Sequence, residues 1–328
     1  MTAPLRSLSI ALALALAACG STEPAPSEGD LSREDLVVAT ADEGASANTG
    51  EVVDVAALPE RYQEILDLYR TGGLTWTMER ATVLSDPDET RFLVDNLVLA
   101  MFEQARAIQR AQSQLASSRV HEESLARVHD ELVACGPPAA EALAEVLAVG
   151  DDFFAAMARN VLERMGADAA PAVAGLLQRD KAVERYRALQ TLARLPGARD
   201  LEAGVCTAIR AVATGDEVEL LRAEAAKTLG ERGLFAQSGL AASEVNFQPW
   251  IDALTVTLAD ESELVQKEAL YGLAFVGERS AVPAVIAAGR SGTELVQIEA
   301  RKTLEALTGE RFGLDWNAWQ IWWNQQEG

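Results

Sequence analysis

Side chains capable of chemistry are few in this chain of 328 residues. There are two histidines, His121 and His129, eight residues apart, and three cysteines, Cys19, Cys135 and Cys206. Neither set has the spacing of a zinc site, and no glycine-rich phosphate loop or nucleophile elbow accompanies them. No catalytic residue, metal or cofactor is therefore expected. The other dense group is aromatic: Trp316, Trp319 and Trp323 fall at i, i+3 and i+7 of a helix that Asp315 can cap, with Trp322 to one side. Such a cluster can stack on sugar rings or lie at a membrane interface. It can also shield the last apolar face of a repeat array, which is the reading preferred here.

The elements that would position these residues come as a repeat. Aligned on Ala-x-x-x-Leu, the chain gives Ala158/Leu162, Ala188/Leu192, Ala225/Leu229, Ala269/Leu273 and Ala300/Leu304, with Val128/Leu132 in the same frame. Steps of 30 to 44 residues between first members belong to stacked helical repeats. A glycine follows each leucine by four or five places, at Gly136, Gly166, Gly197, Gly233, Gly277 and Gly309, where a left-handed C-cap would end the first helix. A second apolar segment follows in most copies, with Pro171 and Pro283 placed where a first helical turn tolerates proline. Each unit reads as a helix, a tight turn and a second helix, and the fold class as all-α.

On these alanine, leucine and glycine sets, from about Val120 to Gly328, the chain resembles the HEAT-repeat superfamily, particularly the short bacterial repeats grouped with phycobilin lyases. The resemblance implies a right-handed α-solenoid of helix pairs. Its groove, lined by the second helices, would take a protein segment or a neighbouring envelope complex. Helical spacing offers Glu141, Glu145, Arg179, Arg210, Asp252 and Arg290 as groove residues. Two other readings stay open: a lyase-like or ligand-handling enzyme, for which no catalytic residue can be named, and a carbohydrate-binding lipoprotein using the terminal tryptophans. The iron-binding hydroxylase of this fold carries two His-Glu pairs in each half. Only His121-Glu122 matches, so no di-iron site is expected.

The phrase "ELVQKEA" at Glu263 to Ala269 returns as "ELVQIEA" at Glu294 to Ala300 and more loosely as "ELLRAEA" at Glu219 to Ala225. Leu264 or Val265, then Ala269 and Leu273, make one stripe, and Glu263 and Lys267 make a solvated i, i+4 pair. The shared Glu224, Glu268 and Glu299 read as part of that solvated edge. The longest break in the period lies between Gly233 and Trp250, read as an inserted loop offering Phe235, Phe247 and Trp250 for contacts; equally, these aromatics can fold back and plug the repeat junction.

At the front, Arg6 and the run "LSIALALALAA" resemble a secretory signal, too short to span a bilayer. Leu16-Ala17-Ala18-Cys19-Gly20 resembles the lipobox of bacterial lipoproteins, which implies a lipid on Cys19 and an envelope location on the periplasmic side. Gly20 is not the aspartate typical of inner-membrane retention, which favours the outer membrane. Residues 1–18 are thus expected to be a signal, 19–56 an acidic tether, 57–119 an N-terminal helical cap, and 120–328 the repeats. Repeat boundaries are expected near 120–150, 151–180, 181–216, 217–260, 261–291 and 292–328, the last with a tryptophan-rich cap. A formal charge of −22, with no lysine or arginine cluster longer than two residues, argues against nucleic acid. The expected state is a monomer with a protein partner. Cys135 and Cys206, about two repeats apart, read as core residues and not as a disulfide.

Overall fold

The structure, a computed structural model, describes residues 58–114, 117–195, 199–238 and 248–326, with backbone alone for 199–203 and 233–238. The expectations for the signal, Cys19, the tether, Gly197 and Phe247 lie outside these residues, and the side chain of Phe235 does too. Among the described residues every regular element is helical, and the chain divides into two compact units between Met165 and Gly166.

The first unit holds α1 (Glu60–Thr71), α2 (Gly73–Val83), α3 (Pro87–Ser113), α4 (Arg119–Cys135), α5 (Pro137–Val149) and α6 (Asp152–Met165). Asp86 caps α3, its side chain accepting from the N–H groups of Asp88 and Glu89 at 2.9 and 3.0 Å, with Pro87 in the first turn. Helix α2 was not foreseen, because its sequence GLTWTMERATV buries only Trp76 and Val83 and carries no clear apolar stripe. It folds beside α1 through Gly72 and Gly73, both at positive φ. Arg61 ties the entry together, reaching Glu64, Glu79 and Glu89 at 2.9 to 3.0 Å.

The expected boundary between a cap ending at 119 and repeats starting at 120 falls between two helices packed side by side. Helix α3 lies along α4 and stacks on α5, while α6 packs on α4 and α5. Phe102 of α3 meets Phe154 of α6 edge-on, ring centroids 4.4 Å apart, so both belong to one core.

The second unit holds α7 (Ala170–Gly175), α8 (Ala182–Leu192), α9 (Arg199–Gly215), α10 (Glu219–Ser238), α11 (Gln248–Thr257), α12 (Glu263–Val276), α13 (Val282–Ser291), α14 (Glu294–Thr308) and α15 (Trp316–Gln326). Helices α8, α10, α12 and α14 form one layer, each against the next, and α7, α9 and α11 form the other, continued by α13. The alanine and leucine frame explains this arrangement. Ala188, Leu192, Ala225, Leu229, Ala269, Leu273, Ala300 and Leu304 are all fully buried between neighbouring helices.

Gly277 and Gly309 end α12 and α14 in the left-handed conformation, each donating its N–H to the carbonyl four residues back. Gly136 and Gly166 also have positive φ. Gly233 does not end a helix: α10 continues through it to Ser238, so no loop opens there. Val265, and not Leu264, lies on the buried stripe of α12.

Layer α10 to α12 is the tightest. A Cβ built on Gly230 would lie 2.4 Å from the Cα of Gly272, so these helices touch backbone to backbone where both lack a side chain.

Candidate functional site

Of the groups singled out for chemistry, His121, His129, Cys135 and Cys206 lie among the described residues. His121 Nδ1 lies 2.9 Å from Gln104 Oε1, linking α4 to α3. His129 is half-buried, and burial first, then Arg164, hold its pKa below the usual imidazole range against the opposing Asp130. Cys135 and Cys206 are buried and not joined in a disulfide, and burial pushes the Cys135 thiol up to about 12. Among the described residues no group of three or more histidine, cysteine or acidic side chains is placed to hold a metal. A shallow depression of about 420 Å³ beside α1 carries Glu60, Glu64 and Asp67 on its wall, with no histidine or thiol.

Asp95 on α3 is the most perturbed carboxyl in the first unit, pushed up to about 6 by burial with Arg91 opposing. A raised carboxyl pKa means that the folded chain holds a proton the unfolded chain has released, so stability falls as pH rises from about 4 to about 6. Asp95→Asn is expected to remove that slope and to stabilise the first unit by roughly 1–3 kcal/mol at neutral pH. Hydrogen exchange of α3 at pH 4.5 and 7 measures this; equal protection of wild type and variant at pH 7 would contradict it.

The residues expected to line a groove are dispersed. Glu141 is exposed and Glu145 half-buried on α5, both in the first unit. In the second unit Arg210 is exposed on α9, and Asp252 is exposed on α11, where it accepts from Gln248 Nε2. Arg179 lies in a turn and not on a second helix; its carbonyl accepts from Arg185. Arg290 belongs to the contact with the last helix, donating to the Trp316 carbonyl and Asn317 Oδ1 at 3.3 and 3.4 Å. Of the two readings of Trp250, burial favours the packed one: at 4% exposure it is a core residue of α11 and is not available as a surface contact.

Of the terminal tryptophans Trp319 is buried, and Trp316, Trp322 and Trp323 are half-buried. Trp319 is fully buried, its Nε1 donating to the Gly313 carbonyl and its ring edge-on to Phe312 at 4.9 Å. The Trp316 ring lies over Gly289 of α13, so near that a Cβ there would stand 2.3 Å from it. Arg279 sits 5.5 Å over the ring of Trp322. Gly289→Ala should therefore push α15 off α13 at a cost of about 1–2 kcal/mol, less than a backbone clash because a side chain can yield. Tryptophan fluorescence during denaturation reads this as an earlier transition, and an unshifted curve would remove the contact's importance.

Sequence reasoning missed the polar lattice that joins one helix pair to the next. Arg185 bonds both oxygens of Asp216, at 2.7 and 3.1 Å, and the carbonyls of Arg179 and Asp180. Arg222 repeats the pattern one unit on, bonding Asp260 at 2.7 and 3.1 Å and the Asp216 carbonyl at 2.9 Å. Asp216 and Asp260 in turn receive the N–H groups of Val218 and Ser262. Thr228 and Thr303 reach back to the carbonyls of Leu189 and Leu270, and buried Arg232 covers the carbonyls of Leu192 and Leu195 at the end of α8. The signal was present as Asp-Glu-x-Glu-Leu-x-Arg/Gln, in "DEVELLR" and "DESELVQ", and as the repeated Lys-Thr-Leu. The same contacts made from equivalent positions of successive units decide the class of the molecule. It is a helical repeat protein.

Among solved structures this repeat protein is similar to a designed armadillo repeat protein in complex with the peptide (KR)4, at 20% identity over 69% of this chain and 97% of that chain, TM-score 0.37. It is also similar to an engineered protein at 18% identity over 77% and 98%, TM-score 0.37, and to a second designed armadillo repeat protein at 20% identity over 69% and 98%, TM-score 0.36. No protein-family model matches the chain. No curated protein matches it.

Proposed function

We propose that this repeat protein is a scaffold that binds a protein partner in the bacterial envelope, held at the membrane through a lipid on Cys19. The observation that supports a binding role is the layered second unit, in which α8, α10, α12 and α14 lie side by side and bring exposed side chains from successive repeats onto one surface. Interfaces need such breadth, commonly on the order of 800 Å² per partner, whereas catalysis needs a closed pocket with converging polar groups. The lipobox-like Leu16 to Gly20 supports the anchor, and among the described residues no single helix is long and apolar enough to cross a membrane. No reaction is assigned to the chain. The inward Trp316 and Trp319 speak against a sugar-stacking platform built on those two rings.

The test is crosslinking and affinity recovery from envelope fractions, with wild type beside Cys19→Ala. Wild type is expected to fractionate with membrane and to recover one specific protein, and Cys19→Ala to be released from the membrane. Recovery of no specific protein by the anchored form would end the scaffold reading.

A further inference from the structure

At the second helical position of every first helix in the second unit stands an apolar residue that the core does not use. Val183 is 51% exposed, Leu220 57%, Leu264 38% and Leu295 40%, while the next residues in the last three helices, Leu221, Val265 and Val296, are buried. Single exposed leucines are ordinary on a protein surface, but four in one register on four stacked helices form a row. Three of the helix starts are tied side by side: Arg185 of α8 bonds Asp216 ahead of α10, Arg222 of α10 bonds Asp260 ahead of α12, and Ser262, which caps α12, donates to Glu219, while α14 packs along α12.

The row is set in acid. Glu217, Glu219, Glu261, Glu263 and Glu294 are exposed around it, whereas Asp216 and Asp260 are already matched by Arg185 and Arg222. Exposed Lys181 is engaged with Glu184 at 3.2 Å, and Lys267, one turn after Leu264, with Glu268 at 3.5 Å. First-turn glutamates complement the helix dipoles, and the remaining carboxylates leave the ledge negative.

Spacing and charge together select the occupant. Packed helices stand about 8–10 Å apart, so the apolar residues recur at that interval. A polyproline II segment presents one face every three residues, roughly 9.3 Å, whereas a β-strand turns alternate residues to opposite faces. The chain's own residues 20–56 hold nine acids against the single Arg33, and a second copy carries the same −22, so both are repelled. We propose that Val183, Leu220, Leu264 and Leu295 form a docking ledge for a basic protein segment in polyproline II conformation with an apolar side chain at every third residue. The proposal rests on the scaffold reading above and names the surface and the chemistry of the partner.

The test uses the full chain and fluorescence anisotropy with a peptide repeating Leu-Pro-Lys over about a dozen residues. Comparison peptides repeat Ser-Pro-Lys and Leu-Pro-Glu, and one has the composition of the first with its leucines gathered at one end. The Leu-Pro-Lys peptide is expected to bind at least about tenfold tighter than any of these, and to weaken as salt rises. The triple variant Leu220→Ser, Leu264→Ser, Leu295→Ser changes only exposed side chains, so its circular dichroism and melting should match wild type. It should lose that tenfold preference while keeping the weak Ser-Pro-Lys affinity. Equal binding of the gathered-leucine peptide, or an unchanged preference in the triple variant, overturns the ledge. If envelope recovery yields a partner that the triple variant captures as well as wild type, the ledge is wrong and the scaffold reading survives.

Discussion

Asp260→Ala is expected to destabilise the second unit by about 3–5 kcal/mol, the range for breaking one side of a buried ion pair. Both partners are largely buried, with side-chain exposures of 12% for Arg222 and 10% for Asp260. Without the carboxylate, Arg222 keeps the Asp216 carbonyl and a distant Glu261 at 4.0 Å, and the Ser262 N–H loses its acceptor. The pH dependence carries a sign. Burial raises the Asp260 pKa, but the Arg222 and Ser262 hydrogen bonds outweigh it and hold the carboxyl below its usual 3.8. A depressed carboxyl pKa gives stability that is complete above about 4 and lost as pH falls through the folded value. Urea denaturation at pH 7 and pH 3 should therefore show wild type approaching the variant in acid. Replacing both partners by apolar residues, as in Arg222→Met with Asp260→Leu, should recover most of the loss, since neither charge is then stranded. A double variant as unstable as the sum of the singles would show that the pair is not acting as a pair.

Gly230→Ala should be the most damaging single methyl in the second unit, at about 2–3 kcal/mol. Alanine gains up to about 1 kcal/mol over glycine in a helix interior. Here that gain is overwhelmed, because the new Cβ would lie 2.4 Å from the Cα of Gly272 and a backbone cannot swing aside. Two companions decide whether proximity is the cause. Gly272→Ala would meet the Leu254 methyls at 2.9 and 3.2 Å, atoms at the end of a movable side chain, and the Ala226 carbonyl oxygen only at 3.3 Å, and should cost less. Gly175→Ala meets nothing within 4 Å and should be neutral or stabilising by roughly 0.4–1 kcal/mol. Chemical denaturation that ranks the three otherwise would remove close approach as the explanation.

The all-helical repeat was legible because its signal is redundant. Six alanine or valine and leucine pairs repeat one spacing, and each pair is buried. A single position carries no such redundancy. Leu264 and Val265 are adjacent and equally apolar, and only the rotation of α12 against α10 sends one inward. Gly233 stands in the right place for a cap, yet the turns of α10 beyond it outlast one unfavourable residue. Arg232 reads as a surface cation by type, but it is 1% exposed, because two carbonyls at the end of α8 lie within its reach. Trp250 likewise looks like a loop aromatic until the start of α11 places it in the core. Helical phase alone cannot tell a contact surface from a turn or a terminal cap, as Arg179 and Arg290 show.

The lattice also changes character along the second unit. Arg185 and Arg222 each clasp a carboxylate of the following repeat, but Gln266 and Gln297, at the same helical position, bond the carbonyls of Asp260 and Gly292 ahead of their own helices. In a one-dimensional array, the coupling between neighbours sets how far a local opening spreads. An arginine–carboxylate clasp joins α8 to α10 and α10 to α12, whereas among the described residues α12 and α14 are joined by packing and the Thr303 bond to the Leu270 carbonyl, so thermal opening is expected to start at the C-terminal helices and stop at Arg222. The molecule would then behave as a stiff central block with a terminal segment that opens and recloses on its own.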